Sequence, residues 1–187
     1  SNHSTGTMGY ALATAAARRG ARVTLVSGPT TLTPPAGVTR VDVTTADEMH
    51  AAVTARAAEA DVVLMAAAVA DYAPAEVSAS KIKKSGDALT LHLRRTPDIL
   101  AELGRNRRDG QTLVGFAMET DDGPANARRK LEAKHLDVIV LNLLNEPGAG
   151  FGTTTNRVTL LYRDGREETL PLLPKRDVAE AILDRLP

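Results

Sequence analysis

The stretch Asp61–Ala67 reads Asp-Val-Val-Leu-Met-Ala-Ala, and no residue after the aspartate is polar. A strand written this way is buried on both faces, as in a parallel sheet covered by helices. Parallel neighbours cannot be joined by a tight turn, so such a chain must alternate strands with longer crossover segments.

The surrounding sequence has that alternation. The pattern predicts a helix over 8–19, with Met8, Leu12, Ala15 and Ala16 on one side and Gly20 as its stop. Arg22–Val26 reads as a strand, 30–37 with its Pro34-Pro35 pair as a loop, and Thr39–Val43 as a short strand. Thr45 caps a helix over 46–59 that carries Met49, Ala52, Val53 and Ala57 at helical spacing. Further strands are expected near 89–94, 112–116, 137–141 and 157–162, and helices near 97–105, 122–134 and 175–185. Val158–Leu173, turning at Arg163-Asp164-Gly165, reads as an antiparallel hairpin. The expectation is one α/β domain over residues 1–187. Its sheet is Rossmann-like, doubly wound and mostly parallel, with helices on both faces and a C-terminal antiparallel hairpin.

The 187 residues suit one domain with a sizeable core, and 23 basic residues balance 23 acidic ones. No global field therefore recruits nucleic acid or an anionic membrane. Cysteine is absent, which excludes disulfides, thiolate metal sites and a cysteine nucleophile. No apolar run approaches the roughly 20 residues that span a bilayer. A cytoplasmic location is the expectation.

Chemistry concentrates in a few segments. Ser1–Tyr10 reads Ser-Asn-His-Ser-Thr-Gly-Thr-Met-Gly-Tyr, a small hydroxyl-rich loop entering an alanine-rich helix. Gly6 and Gly9 let backbone approach a ligand, and free N–H groups at a helix start attract anions. Ser4 and Thr5 can cap the helix, and Asn2 offers both a donor and an acceptor. An ordinary capped helix start has the same composition. Ala66–Ala70 follows the buried strand, at the end where such sheets bind ligands, and its small side chains leave room for a base or ribose. Asp71 is placed to accept from ribose hydroxyls or to help hold a metal ion; it also suits a plain loop. Lys81, Lys83 and Lys84 follow the aperiodic segment Ala73–Ser80. They form either a solvated surface or a lid that brings ammonium groups to a triphosphate. Lys130 and Lys134 are four apart on one helix face, which suits a shared anionic partner or, beside Arg128, Arg129 and Glu132, a solvated face. His3, His50, His92 and His135 are scattered, with no spacing that suggests a fixed metal site and no Ser–His–Asp pattern.

In this order, the opening loop, Arg19–Pro29, Ala66–Tyr72, Lys81–Lys84, Thr96–Leu100, Val114–Thr120 and the closing hairpin resemble the CTP-dependent phosphopantothenate–cysteine ligase domain of coenzyme A biosynthesis. The resemblance covers nearly all of the chain. It implies that the carboxylate of 4′-phosphopantothenate is joined to the amine of cysteine through an acyl-cytidylate, with CTP as co-substrate and Mg2+ arriving on it. It implies a CTP site formed by Met65, Ala66, Ala67, Asp71, Lys81, Pro97, Asp98, Ile99, Leu100, Phe116, Lys130 and Lys134. Substrate contacts fall on Asn2, Ser4 and Gly6. Lys81 would serve formation of the activated intermediate and Asn2 the second half-reaction, so these two are the expected catalytic residues. The C-terminal hairpin, whose edge strand can extend the sheet across a two-fold axis, and the family both favour a homodimer with the substrate site near the subunit interface. In bacteria such a domain is usually fused to a flavin-dependent phosphopantothenoylcysteine decarboxylase. A strand and a glycine-containing segment ending in arginine precede the opening loop in the family, so the domain is expected to lack its N-terminal strand here. Thr7 stands where family members often carry lysine, and Thr5 where a second serine is common.

Three other readings compete. A nicotinamide-dependent oxidoreductase would show Gly-x-Gly-x-x-Gly after the first strand and an acidic residue ending the second; the opening loop lacks that spacing, and Arg22–Val26 ends in Ser27-Gly28. A nucleotide-binding module without activity would bind the nucleotide and release no CMP. A flavin-binding decarboxylase would need a catalytic histidine and flavin motifs that the sequence does not display.

Overall fold

A computed structural model describes residues 4–78, 80–83, 88–119, 122–143 and 153–187. In chain order its elements are α1 (Thr7–Arg18), β1 (Val23–Ser27), β2 (Val38–Asp42), α2 (Ala46–Ala57), β3 (Val62–Met65), β4 (Tyr72–Pro74), β5 (Leu93–Arg95), α3 (Ile99–Arg105), β6 (Thr112–Glu119), α4 (Gly123–Ala133), β7 (Val138–Leu143), β8 (Thr155–Asn156), β9 (Val158–Tyr162), β10 (Glu167–Thr169), β11 (Leu173–Pro174) and α5 (Lys175–Leu183).

The main sheet has the order β10-β9-β7-β6-β3. Strands β3, β6 and β7 are parallel, and β9 and β10 complete the sheet antiparallel. Side-chain alternation divides the core into two layers. Val114, Val138, Val140, Val158, Leu160 and Tyr162 point to one face, where Leu12 and Ala15 of α1 and Val178 and Ile182 of α5 cover them. Leu113, Ala117, Ile139, Leu141 and Leu161 point to the other, under Met49 of α2, Ile99 and Leu103 of α3, and Leu131 of α4. Period-two strands sandwiched between helices give the expected doubly wound α/β architecture.

Local chemistry sets the helix ends. Thr45 and Glu48 form a capping box at the start of α2, the threonine accepting from the Glu48 N–H at 3.1 Å. α1 stops in a pair of bonds from Ala21 N–H to Ala16 O (3.1 Å) and from Gly20 N–H to Ala17 O (3.0 Å). At its other end the structure departs from expectation. Gly6 is the cap residue, in a left-handed conformation at φ 78°, and no side chain caps the helix. Thr5 instead pairs its hydroxyl with that of Thr7 at 2.7 Å, and Ser4 Oγ reaches only the Gly6 N–H, at 3.4 Å.

Four further departures have physical causes. β1 and β2 pair in parallel as a separate two-stranded sheet, so β3 is an edge strand. Val62 is accordingly 41% exposed, and the run from Asp61 is half-buried where burial on both faces was expected. The strand expected at 89–94 is the short β5, which pairs antiparallel with β4 in a ribbon outside the main sheet. Pro97 lies before the cap residue Asp98, outside the first turn of α3. The C-terminal hairpin is β9–β10, whereas Leu173 leaves it to pair with Asn156 of β8.

Candidate functional site

β3 and β6 run side by side with Met65 opposite Gly115, so β3 leaves the sheet at Ala66 beside Phe116, while β6 continues, paired with β7, to Glu119. Both residues pack on the same core layer as Met8 in the first turn of α1. The start of α1 and the chain leaving β3 thus lie beside β6 toward the carboxyl end of the parallel strands, where doubly wound sheets bind ligands.

Thr96 closes the next contact. Its N–H donates to the Asp71 carbonyl at 3.0 Å and its hydroxyl to the Ala70 carbonyl at 2.6 Å. The end of Ala66–Asp71 is thereby clamped to the base of β5, and Pro97–Leu100 follows beside it. Asp98 caps α3 by accepting from the Ala101 N–H at 3.0 Å. The same carboxylate receives the Lys134 ammonium at 3.0 Å. Burial alone would raise the Asp98 carboxyl, but the Ala101 N–H and the Lys134 ammonium outweigh it and hold the carboxyl below the usual range. Lys130 donates to Glu119, at the end of β6, at 2.5 Å, and Asn126 reaches the other Glu119 oxygen at 3.4 Å.

The two lysines therefore do not share one partner. Each is held by its own carboxylate, Asp98 half-exposed and Glu119 largely buried. Glu119 is a feature that sequence spacing missed, because an acid at a strand end is unremarkable until the lysine that it meets is placed. Asn142 is another. It lies near the end of β7, opposite Met118 of β6, only 7% exposed, and among the described residues its Oδ1 atom has no hydrogen-bond partner. A buried amide oxygen left unpaired is costly.

A family model for the DNA/pantothenate metabolism flavoprotein C-terminal domain matches residues 1–187. The chain belongs to that family. It is 48% identical over 186 residues to the coenzyme A biosynthesis bifunctional protein CoaBC of Bacillus subtilis (strain 168), covering 99% of this chain and 46% of that protein. It is 47% identical over 187 residues to a cysteine/cysteine sulfinic acid decarboxylase from an unknown prokaryotic organism, covering 100% of this chain and 52% of that protein. Among solved structures, the C-terminal domain of a coenzyme A biosynthesis bifunctional protein CoaBC superposes with a TM-score of 0.83 at 42% identity, over 98% of this chain and 82% of that one. The chain spans about half the length of the curated relatives that it matches.

Of the residues expected at the nucleotide site, Ala66 and Phe116 pack against one core layer, Met65, Ile99 and Leu100 lie in the other, and Lys134 reaches Asp98. Asp71 is exposed there. Ile99 is buried and Leu100 partly buried, both packed in the core layer under α3. Ser4 and Gly6 stand at the start of α1. Lys81 and Lys83 are exposed between the two strands of the β4–β5 ribbon, and among the described residues Lys81 makes no ion pair. Asn2, His3 and Lys84 lie outside the described residues. A concavity of about 680 Å3 lies elsewhere, between α1, the 32–36 segment and the start of α5, and none of the expected nucleotide residues line it.

Proposed function

We propose that this chain is the CTP-dependent phosphopantothenate–cysteine ligase unit of a coenzyme A biosynthesis protein. The observation that supports the reading is that two lysines of the α4 region reach carboxylates at the end of β6 and at the cap of α3, the latter beside the segment that follows β3. The name of the decarboxylase relative describes a protein of which this chain spans 52%, so it does not assign the chemistry of this part.

A carboxylate is a poor acyl donor because its leaving group would be oxide. CTP supplies a better one: the phosphopantothenate carboxylate oxygen attacks the α-phosphorus, pyrophosphate leaves, and an acyl-cytidylate remains. The cysteine amine then attacks the acyl carbon, forming the amide and releasing CMP. Protein groups contribute position and charge. Lys130 and Lys134 exchange Glu119 and Asp98 for phosphate oxygens, Lys81 brings a mobile ammonium to the transferring phosphate, and Asp71 accepts from the ribose or from metal-bound water. Asn142 Oδ1 accepts an N–H of the base, and Asn2 holds the acyl group during amide formation. Mg2+ would come on the triphosphate, where it would offset the phosphate charge, with Asp71 as the nearby protein carboxylate. Fusion to a decarboxylase and a cytoplasmic location belong to the same reading.

The homodimer is best placed on the ribbon. Tyr72, Leu89, Leu91 and Leu93 are each more than half exposed on or beside β4 and β5, and an isolated two-stranded ribbon is only marginally stable. The outer strand of the C-terminal hairpin instead carries exposed Glu167 and Glu168, charges that discourage edge pairing. A Leu91→Asp, Leu93→Asp double variant should sediment as a monomer at a concentration where the parent is a dimer; a parent that is itself monomeric would sink this placement.

The reaction is tested by pyrophosphate release in the presence of phosphopantothenate, with CTP or ATP, before and after cysteine is added. The ligase releases pyrophosphate with CTP and then CMP on addition of cysteine. Nucleotide binding without either product would identify a binding module.

A further inference from the structure

We propose that Thr30 is a positioning residue for the substrate loop, acting through the backbone carbonyl of Thr5. The inference rests on the ligase reading, in which Ser4 and Gly6 contact the substrate.

The segment that follows β1 turns back over the start of α1 and is anchored at both ends. At the near end, buried Ser27 donates its hydroxyl to the Gly28 carbonyl at 2.9 Å and accepts from the Tyr10 hydroxyl at 3.1 Å. At the far end, the Leu32 carbonyl accepts from Arg40 Nη1 at 3.2 Å. Arg40 is itself paired with Asp42 at 2.5 Å and lies 6.0 Å from the centre of the Tyr10 ring. Between these anchors, Thr30 Oγ1 donates to the Thr5 carbonyl at 3.1 Å and accepts the Leu32 N–H at 3.3 Å. Among the described residues, this is the hydrogen bond that joins the segment to the opening loop. Leu32 also packs there: its Cδ1 lies 3.8 Å from where a Cβ on Gly6 would stand.

The consequence follows from the planar peptide. The Thr5 carbonyl and the Gly6 N–H belong to one trans unit and point in opposite directions, so holding the oxygen fixes the direction of the N–H. Gly6 is left-handed, and glycine resists rotation of its own dihedrals less than any other residue. Its N–H donates to Ser4 Oγ at 3.4 Å and the Thr7 N–H to Thr5 Oγ1 at 3.5 Å, long bonds within the loop itself that do not tie it to the rest of the fold. The hydroxyl of Thr30 supplies that tie, and so sets the direction in which the Gly6 N–H is offered to the anionic end of the substrate when the substrate displaces Ser4.

The test compares Thr30→Val, which removes the hydroxyl at nearly constant shape, with Thr30→Ser, which keeps it. Thr30→Val should raise KM for phosphopantothenate about five- to tenfold, the effect of one lost hydrogen bond, while KM for CTP and kcat stay within about twofold. Thr30→Ser should restore the parent KM. Without substrate, hydrogen exchange at the Gly6 and Thr7 amides should accelerate in the valine variant and not in the serine variant. Equal rises in both KM values, a serine variant no better than the valine one, or unchanged exchange in the valine variant would overturn the proposal. If the parent protein released no pyrophosphate with CTP, the ligase reading would fail, and the exchange measurement alone would decide whether Thr30 holds the loop.

Discussion

Lys130 and Lys134 leave the α4 region one turn apart, yet Glu119 takes the first and Asp98 the second. These pairs hold both ammonium groups at the rim before any ligand arrives, which reduces the ordering cost of binding. Asp98 does double duty as helix cap and lysine anchor. Its folded carboxyl lies below the ordinary value of about 3.9, so its contribution to stability is complete above that value and is lost as pH falls through the lower folded one. Asp98→Asn should therefore lower thermal stability by a constant amount between about pH 5 and 8, and the deficit should shrink below about pH 4. A deficit that persists undiminished into acid would show that the carboxylate charge is not what stabilises this corner. Lys81 is the opposite case, exposed and without an ion pair among the described residues. Lys81→Gln should leave the melting temperature unchanged and slow pyrophosphate release by a factor of about 10². Unchanged turnover would return Lys81 to the solvated surface.

At the scale of elements, the close approach of α3 to the end of α4 is the contact on which Lys134 depends. A Cβ on Gly104 would collide with the Lys134 carbonyl, its carbon 2.9 Å away, and with backbone there is no flexible end to swing aside. Glycine costs about 1 kcal/mol inside a helix, and this approach explains why α3 carries one. Gly104→Ala should destabilise the fold by about 1–3 kcal/mol in urea unfolding and raise KM for CTP by moving Lys134 away from Asp98. An alanine variant as stable as the parent would mean that α4 shifts without penalty. Much of the element pattern was legible in the sequence, because β6, β7 and β9 are largely continuous apolar runs and Thr45 with Glu48 marks the start of α2 by itself. The ribbon was not. Tyr72–Pro74 and Leu93–Arg95 are each three residues long and pair across an intervening loop, too little for local periodicity to register. The separation of β1–β2 from β3 was equally hidden, since strand neighbours are set by tertiary pairing. The likeness of short motifs to a known family located the rim residues, while Glu119, Asn142 and Thr30 emerged only when their partners, or the lack of one, could be seen.

For the whole molecule, a balanced charge and a sheet with two covered faces leave the rim as the place where ligand chemistry concentrates. No helix among the described residues is long and apolar enough to cross a membrane. The rim combines backbone at Ala66–Asp71, the capped start of α3, two lysines held by carboxylates and the unpaired Asn142 oxygen. The α1–α5 concavity offers space without these residues. Amide chemical-shift mapping of the protein with Mg2+ and CTP distinguishes the two directly. Perturbations should cluster at residues 66–71, 98–101, 116–119, 130–134 and Asn142. Shifts confined to the concavity lined by Thr14, Leu32 and Arg176, with the rim silent, would contradict the assignment of the nucleotide site.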